Sequence, residues 1–183
     1  MRILYQTIID SGDPDKIERD GPIKCSSSDA WLGIGYYFWD SFIDLAHHWG
    51  KTHCNGNYVI CKATENYSEE ELYDLINNPE HIIQFRGITE ALMAKYSKSK
   101  KQLTVPFIIE YLKSIGVFSY KAIRACGIGS FYAFTYNIVF STGHKAFLES
   151  LPAWQICILE KQSVLSGSYK IVYPQHYIQE YVV

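Results

Sequence analysis

The sequence predicts an α+β fold in one domain spanning residues 1–183. Three observations carry that expectation. Strand-like runs lie at both ends of the chain and helix-like runs fill its middle, so no βαβ alternation develops. Hydrophobic residues make up 48% and charged residues 20%, the balance of a globular domain large enough for a sizeable core. No internal repeat or composition break divides the chain.

The elements follow in order. Met1 to Ile9 reads as a strand, with Ile3, Tyr5 and Thr7 on one face and Leu4, Gln6 and Ile8 on the other. Turn residues in "DSGDPD" stop it, and Pro14 to Asp20 suits a short helix. "DGPIKCSSSDAW" reads mainly as a loop. Gly35 to Trp39 is a second strand, aromatic after its glycine. Asp40 or Ser41 is placed to cap a helix reaching Trp49, in which Phe42, Leu45, Ala46 and Trp49 share an apolar face. Tyr58 to Ala63 is a third strand.

The middle reads as helical. Ser68 and Glu71 have capping-box spacing ahead of a helix to Asn77. Ile82 to Tyr96 is a second helix, and Pro106 to Ile115, entered at Thr104, is a third that Gly116 stops. Strands then return at Tyr120 to Cys126, Phe131 to Phe140, Trp154 to Leu159 and Tyr169 to Val172.

Charge and cysteine content narrow the function classes. The formal net charge is -2, so no general basic field invites nucleic acid. Lys95, Lys98, Lys100 and Lys101 lie in a Ser-rich run that reads as a solvated loop. Five cysteines are an odd number without CxxC spacing, which argues against a disulfide framework and fits a reducing, cytoplasmic setting. "MRILYQTIID" lacks the apolar segment of a signal peptide. Arg124, Asn137 and two glycines interrupt the apolar stretch from Ala122 to Phe140, so no membrane span is expected.

Several familiar site types do not develop. "WLGIGYYF" lacks the third glycine and the strand–turn–helix of a dinucleotide fingerprint. "HHWGKTHC" gathers His47, His48, His53 and Cys54, but adjacent histidines face apart on a helix and no second cluster completes a metal set. His144 lies near Ser141 without a nucleophile elbow. Tyr36, Tyr37, Phe38 and Trp49 can also be read simply as core aromatics.

The order of three segments, "ILYQT", "GIGYYFWDSFIDLAHHW" and a late strand opening at Gln155, resembles the ADP-ribosyltransferase superfamily. The likeness is to its diphtheria-toxin and poly-ADP-ribose-polymerase branch, as a divergent bacterial member. "GIGYYFWD" aligns without a gap to the family's glycine-rich aromatic strand, and Ala46 falls where the following helix has its alanine. The match covers about twenty residues in the main block and about a dozen in the flanking strands; the helical middle matches nothing in the family.

The resemblance implies a split, strongly bent β-sheet with helices inserted in the middle of the chain. It implies NAD as substrate, no metal, and transfer of a single ADP-ribose to a macromolecular acceptor, protein or nucleic acid, in the manner of a toxin or modifying enzyme. Nicotinamide would stack between Tyr37 and Trp49, with His48 as the neighbouring alternative to Trp49. Tyr5, Thr7, Gly35 and Tyr36 would complete the pocket, Thr7 through its backbone. Gln6 takes the family's ribose-binding histidine position, and Gln155 the position of its catalytic glutamate. A glutamine can bond a ribose hydroxyl, but it cannot offer negative charge to an oxocarbenium ion or act as a base. Polymer formation is therefore not expected. The missing carboxylate directly supports a rival reading: a catalytically inactive module of the same fold that binds a nucleotide or a protein partner. A third reading, an aromatic platform for nucleic acid, needs a basic groove that the charge balance does not favour.

Overall fold

The computed structural model describes residues 1–97, 102–126, 137–143 and 145–178. The fold is α+β, as expected, built on a mostly antiparallel sheet with five helices among the described residues. Its strands are β1 (Ile3–Ile9), β2 (Tyr36–Asp40), β3 (Tyr58–Thr64), β4 (Leu72–Asp74), β5 (Ala122–Ala125), β6 (Asn137–Val139), β7 (Phe147–Glu149), β8 (Gln155–Ile158) and β9 (Lys170–Tyr173). Its helices are α1 (Pro14–Asp20), α2 (Ile43–His53), α3 (Pro79–Lys95), α4 (Val105–Ser114) and α5 (Gln175–Ile178). Among the described residues seven strands form one sheet in the order β4-β5-β8-β2-β1-β3-β9, in which β4 with β5 is the only parallel pair. β6 and β7 form a separate hairpin.

Alternation along the strands sorts the core into two faces. On one, Leu4, Phe38, Ala122, Ile156 and Ile158 pack with Tyr169 and Ile171. The other carries two clusters. Tyr73, Ile123 and Cys157 lie with apolar residues of α3 and α4, while Trp39 and Ile60 lie with Leu45 and Ala46 of α2. The candidate site occupies the seam between these two clusters.

Four expectations change. Ser68 and Glu71 do form a capping box, but it caps a 3₁₀ turn, Glu69–Glu71, and the chain then enters β4 instead of a helix. Leu72, Tyr73 and Asp74 are all buried in succession, which suits a strand covered on both faces better than an amphipathic helix. α2 starts at Ile43 with Phe42 at the cap position, capped by neither Asp40 nor Ser41: the Asp40 carboxylate is held by Arg124 at 2.7 Å and the Ser41 hydroxyl donates to Asp40 at 2.8 Å. It also runs beyond Trp49 to His53. Of the strand expected from Phe131 to Phe140, residues 131–136 lie outside the described residues; Asn137–Val139 is a strand whose partner, Phe147–Glu149, the sequence did not announce. Lys98, Lys100, Lys101 and His144 also lie outside the described residues.

Candidate functional site

The site begins where two strands part. β1 and β2 pair through Leu4–Asp40 and Tyr5–Trp39, and the ladder stops there. β1 continues along β3 to Ile9, while β2 continues along β8 to Tyr36. A wedge therefore opens within the sheet. Ile3 C=O accepts from Ser41 N–H at 2.9 Å, so alternate residues of β1 direct their backbone groups toward β2. That alternation aims the N–H and C=O of Thr7 into the wedge.

A cavity of about 380 Å³ fills the opening, a volume suited to a small ligand or one half of a larger one. Three of the chain's four tryptophans line it, Trp31, Trp39 and Trp49, together with Thr7, Tyr37 and Gln155. Trp39 and Trp49 belong to the α2 side, Trp31 and Tyr37 to the α3–α4 side. Trp49 stacks on His53 at 3.6 Å and tilts toward Trp39 at 6.2 Å. Lys24 and Asp29, both exposed, are the charged residues among those that line it. A more open groove of about 620 Å³ continues past Thr7 and Trp49 to Lys16, Asp20, His53 and Cys54.

Hydrogen bonds separate supporting groups from available ones. Gln6 is buried and fully engaged: its Nε2 donates to Ile23 C=O at 2.9 Å and Tyr37 C=O at 3.2 Å. Its Oε1 accepts from Ile23 N–H and from the Tyr169 hydroxyl, each at 2.8 Å. An amide has two donors and two acceptor sites, so none remains for a ribose. The Tyr37 hydroxyl donates to Gly33 C=O and accepts from Leu32 N–H, each at 2.8 Å. Burial raises its pKa well above the usual phenol value, so it stays protonated. The Thr7 hydroxyl donates to Ala46 C=O on α2 at 2.8 Å, which leaves its backbone as the part that faces the wedge.

Gln155 differs. It is 6% exposed, and its Oε1 accepts from the Trp31 indole N–H at 3.0 Å. Its amide NH₂ has no hydrogen-bond partner among the described residues. The next residue but one, Cys157, is buried, and burial pushes its thiol up to about 12, so it is no nucleophile. Among the described residues no group of three His, Cys, Asp or Glu side chains could hold a metal.

The nine expected residues therefore meet the cavity unevenly, and five of them line it. Thr7, Tyr37, Trp49 and Gln155 line it, and Gln6 lines it with its hydrogen bonds already used. Gly35 lies outside the lining: a Cβ there would strike Cys157 Sγ and sit 2.7 Å from Ile158 C=O, so its smallness serves packing on β8. Tyr36 points to the opposite face with Phe38 and Ile158, as strand parity demands. Tyr5 packs under α2 with Trp39. His48 does not line the cavity, and burial lowers its pKa. Sequence reasoning missed Trp31, Trp39 and the segment from Ile23 to Ala30, which forms one wall. A bulky indole ending a run of small polar residues, "CSSSDAW", was the signal that the loop packs onto something.

No helix among the described residues is long and apolar enough to cross a membrane. Compared with known proteins, the chain matches no family model, no curated protein and no solved structure.

Proposed function

We propose that the chain binds NAD in the wedge between β1 and β2 and acts as a mono-ADP-ribosyltransferase on a macromolecular acceptor. The observation that carries this reading is the open Thr7 edge between aromatic walls. A nicotinamide ring fits between Tyr37 and Trp49, where aromatic faces stabilise a flat cation. Its carboxamide needs one donor and one acceptor, and the Thr7 N–H and C=O supply that pair. The groove past Trp49 gives the remainder of the dinucleotide a path.

The reaction is dissociative. The bond between nicotinamide nitrogen and ribose C1′ breaks, and its electron pair leaves with nicotinamide. A nucleophile of the acceptor then donates a pair to C1′ and loses its proton to solvent. Gln155 stands beside this centre as a neutral hydrogen-bonding group. A glutamine in place of a carboxylate at this position stabilises the developing cation weakly, so turnover is expected to be slow.

One observation favours a second reading, an inactive module on the same fold. Among the described residues the only acidic side chain lining the cavity is Asp29, which is exposed on the loop. Calorimetric titration with NAD tests the site, using wild type and Trp49→Ala. Binding by wild type, weakened at least tenfold in Trp49→Ala, is expected; no binding at millimolar NAD sinks the transferase reading. Release of free nicotinamide on incubation with NAD, above the uncatalysed rate, separates the enzyme from the module.

A further inference from the structure

The geometry points to Trp31 as a positioning residue that turns Gln155 into a hydrogen-bond donor, so that the cavity selects ligands presenting a neutral acceptor at this point. An indole N–H can only donate. The Gln155 group within 3.0 Å of it must therefore be the carbonyl oxygen, and the NH₂ is left for the cavity. That NH₂ has no protein partner among the described residues, and a ligand that accepts from it completes the hydrogen bonding of the amide. A carbonyl, an ether oxygen or an unprotonated ring nitrogen does so; an ammonium or another pure donor does not.

Trp31 can enforce this because its own segment is held on several sides. Cys25 and Gly35 exchange backbone hydrogen bonds of 2.8 and 3.1 Å. The Tyr37 hydroxyl holds Leu32 and Gly33, immediately after Trp31. Gln6 holds Ile23 from below through both ends of its amide. The indole is thus fixed at both flanks, and rotating the Gln155 amide by half a turn would set donor against donor. The same contact explains how a glutamine at this position has a defined orientation in an apolar cavity. The ligand class named here rests on the cavity being a nucleotide site, whereas the orientation of Gln155 does not.

Two measurements test it. In ¹⁵N spectra of the ligand-free protein, the Trp31 indole N–H is expected to exchange slowly with solvent. Trp31→Phe is expected to shift the Gln155 side-chain NH₂ signals. Exchange at the rate of a free indole overturns the inference without any ligand being present. The second measurement compares nicotinamide with 3-aminomethylpyridine, which keeps the ring and replaces the acceptor by a cationic donor. Wild type is expected to prefer nicotinamide by about five- to tenfold, the scale of one hydrogen bond, and Trp31→Phe to lose that preference. Equal affinities in wild type, binding of neither probe, or a preference that survives unchanged in Trp31→Phe and so comes from the Thr7 edge, overturn the ligand selection. NAD binding with no such preference defeats this inference alone. Preference for nicotinamide with no binding of NAD defeats the proposed function alone.

Discussion

Two buried polar groups at the same end of the β2–β8 ladder, Asp40 on β2 and Gln155 opposite Trp39 on β8, are treated in opposite ways. Asp40 is 1% exposed and its carboxylate is bonded to Arg124 Nε at 2.7 Å and to the Ser41 hydroxyl at 2.8 Å. Arg124 also reaches Asp74 at 3.1 Å, and its guanidinium lies 4.6 Å from the centre of the Trp154 ring. Asp74 in turn accepts from the N–H groups of Ile76 and Asn77. The network ties β2, β5 and β4 together. At the cavity, Gln155 is nearly as buried, yet half of its amide has no partner. A polar group with every hydrogen bond made holds the fold; one with a bond left over is available to a ligand. By this criterion Gln6, although it lines the cavity, belongs with Asp40.

The sharpest way to break the comparison is to remove the cation of the network. Arg124→Met leaves Asp40 and Asp74 buried without their counter-charge, and a loss of about 3–5 kcal/mol in urea unfolding is expected. Gln155→Leu, by contrast, removes a single bond to Trp31 and is expected to lower stability by about 1 kcal/mol. Similar losses for the two variants would show that the cavity amide supports the fold as much as the ion network does.

A smaller effect sharpens the division within one residue. Thr7→Val deletes the hydroxyl bond to Ala46 C=O but keeps the β-branched shape and the backbone. Unfolding should show a loss of about 1 kcal/mol, with NAD affinity within about twofold of wild type. A large fall in affinity together with a small fall in stability would place the hydroxyl, and not the backbone edge, against the ligand.

Much of this arrangement was legible in the sequence, and the limits are physical. Parity along "ILYQT" and "GYYFW" sorted the residues by face, so Thr7 and Tyr37 were identifiable as neighbours of one site. Periodicity placed Trp49 on the inner side of α2. Parity also forbade Tyr36 from sharing the face of Tyr37, and weighing it against the motif would have removed Tyr36 from the pocket. The role of Gln6 was not legible, because its partners Ile23, Tyr37 and Tyr169 come from three separate segments. Trp31 and Gln155 are 124 residues apart, and no local pattern encodes that contact. β4 escaped notice because a true capping signal precedes it; burial on both faces then overrides the local preference.

The smallest expected effect concerns the other side of α2. His47 meets the Tyr58 hydroxyl at 3.0 Å through Nδ1 and the Tyr173 ring at 4.8 Å. Burial and the nearby Lys51 lower its pKa, and Asp44 opposes them only in part. The folded protein therefore releases this proton more readily than the unfolded chain, whose imidazole titrates near its ordinary value of about 6.5. Below that pH the unfolded state binds more protons, so stability falls as pH falls; the loss levels off once pH passes the lowered folded value. Urea midpoints from pH 8 to 5.5 should decline more steeply for wild type than for His47→Gln, which cannot titrate. Because the cavity is lined by neither His47 nor His48, NAD affinity compared between wild type and His47→Gln should not change across the same range. A parallel change in affinity would couple the back of α2 to Trp49, and the helix would then have to be treated as part of the site instead of its support.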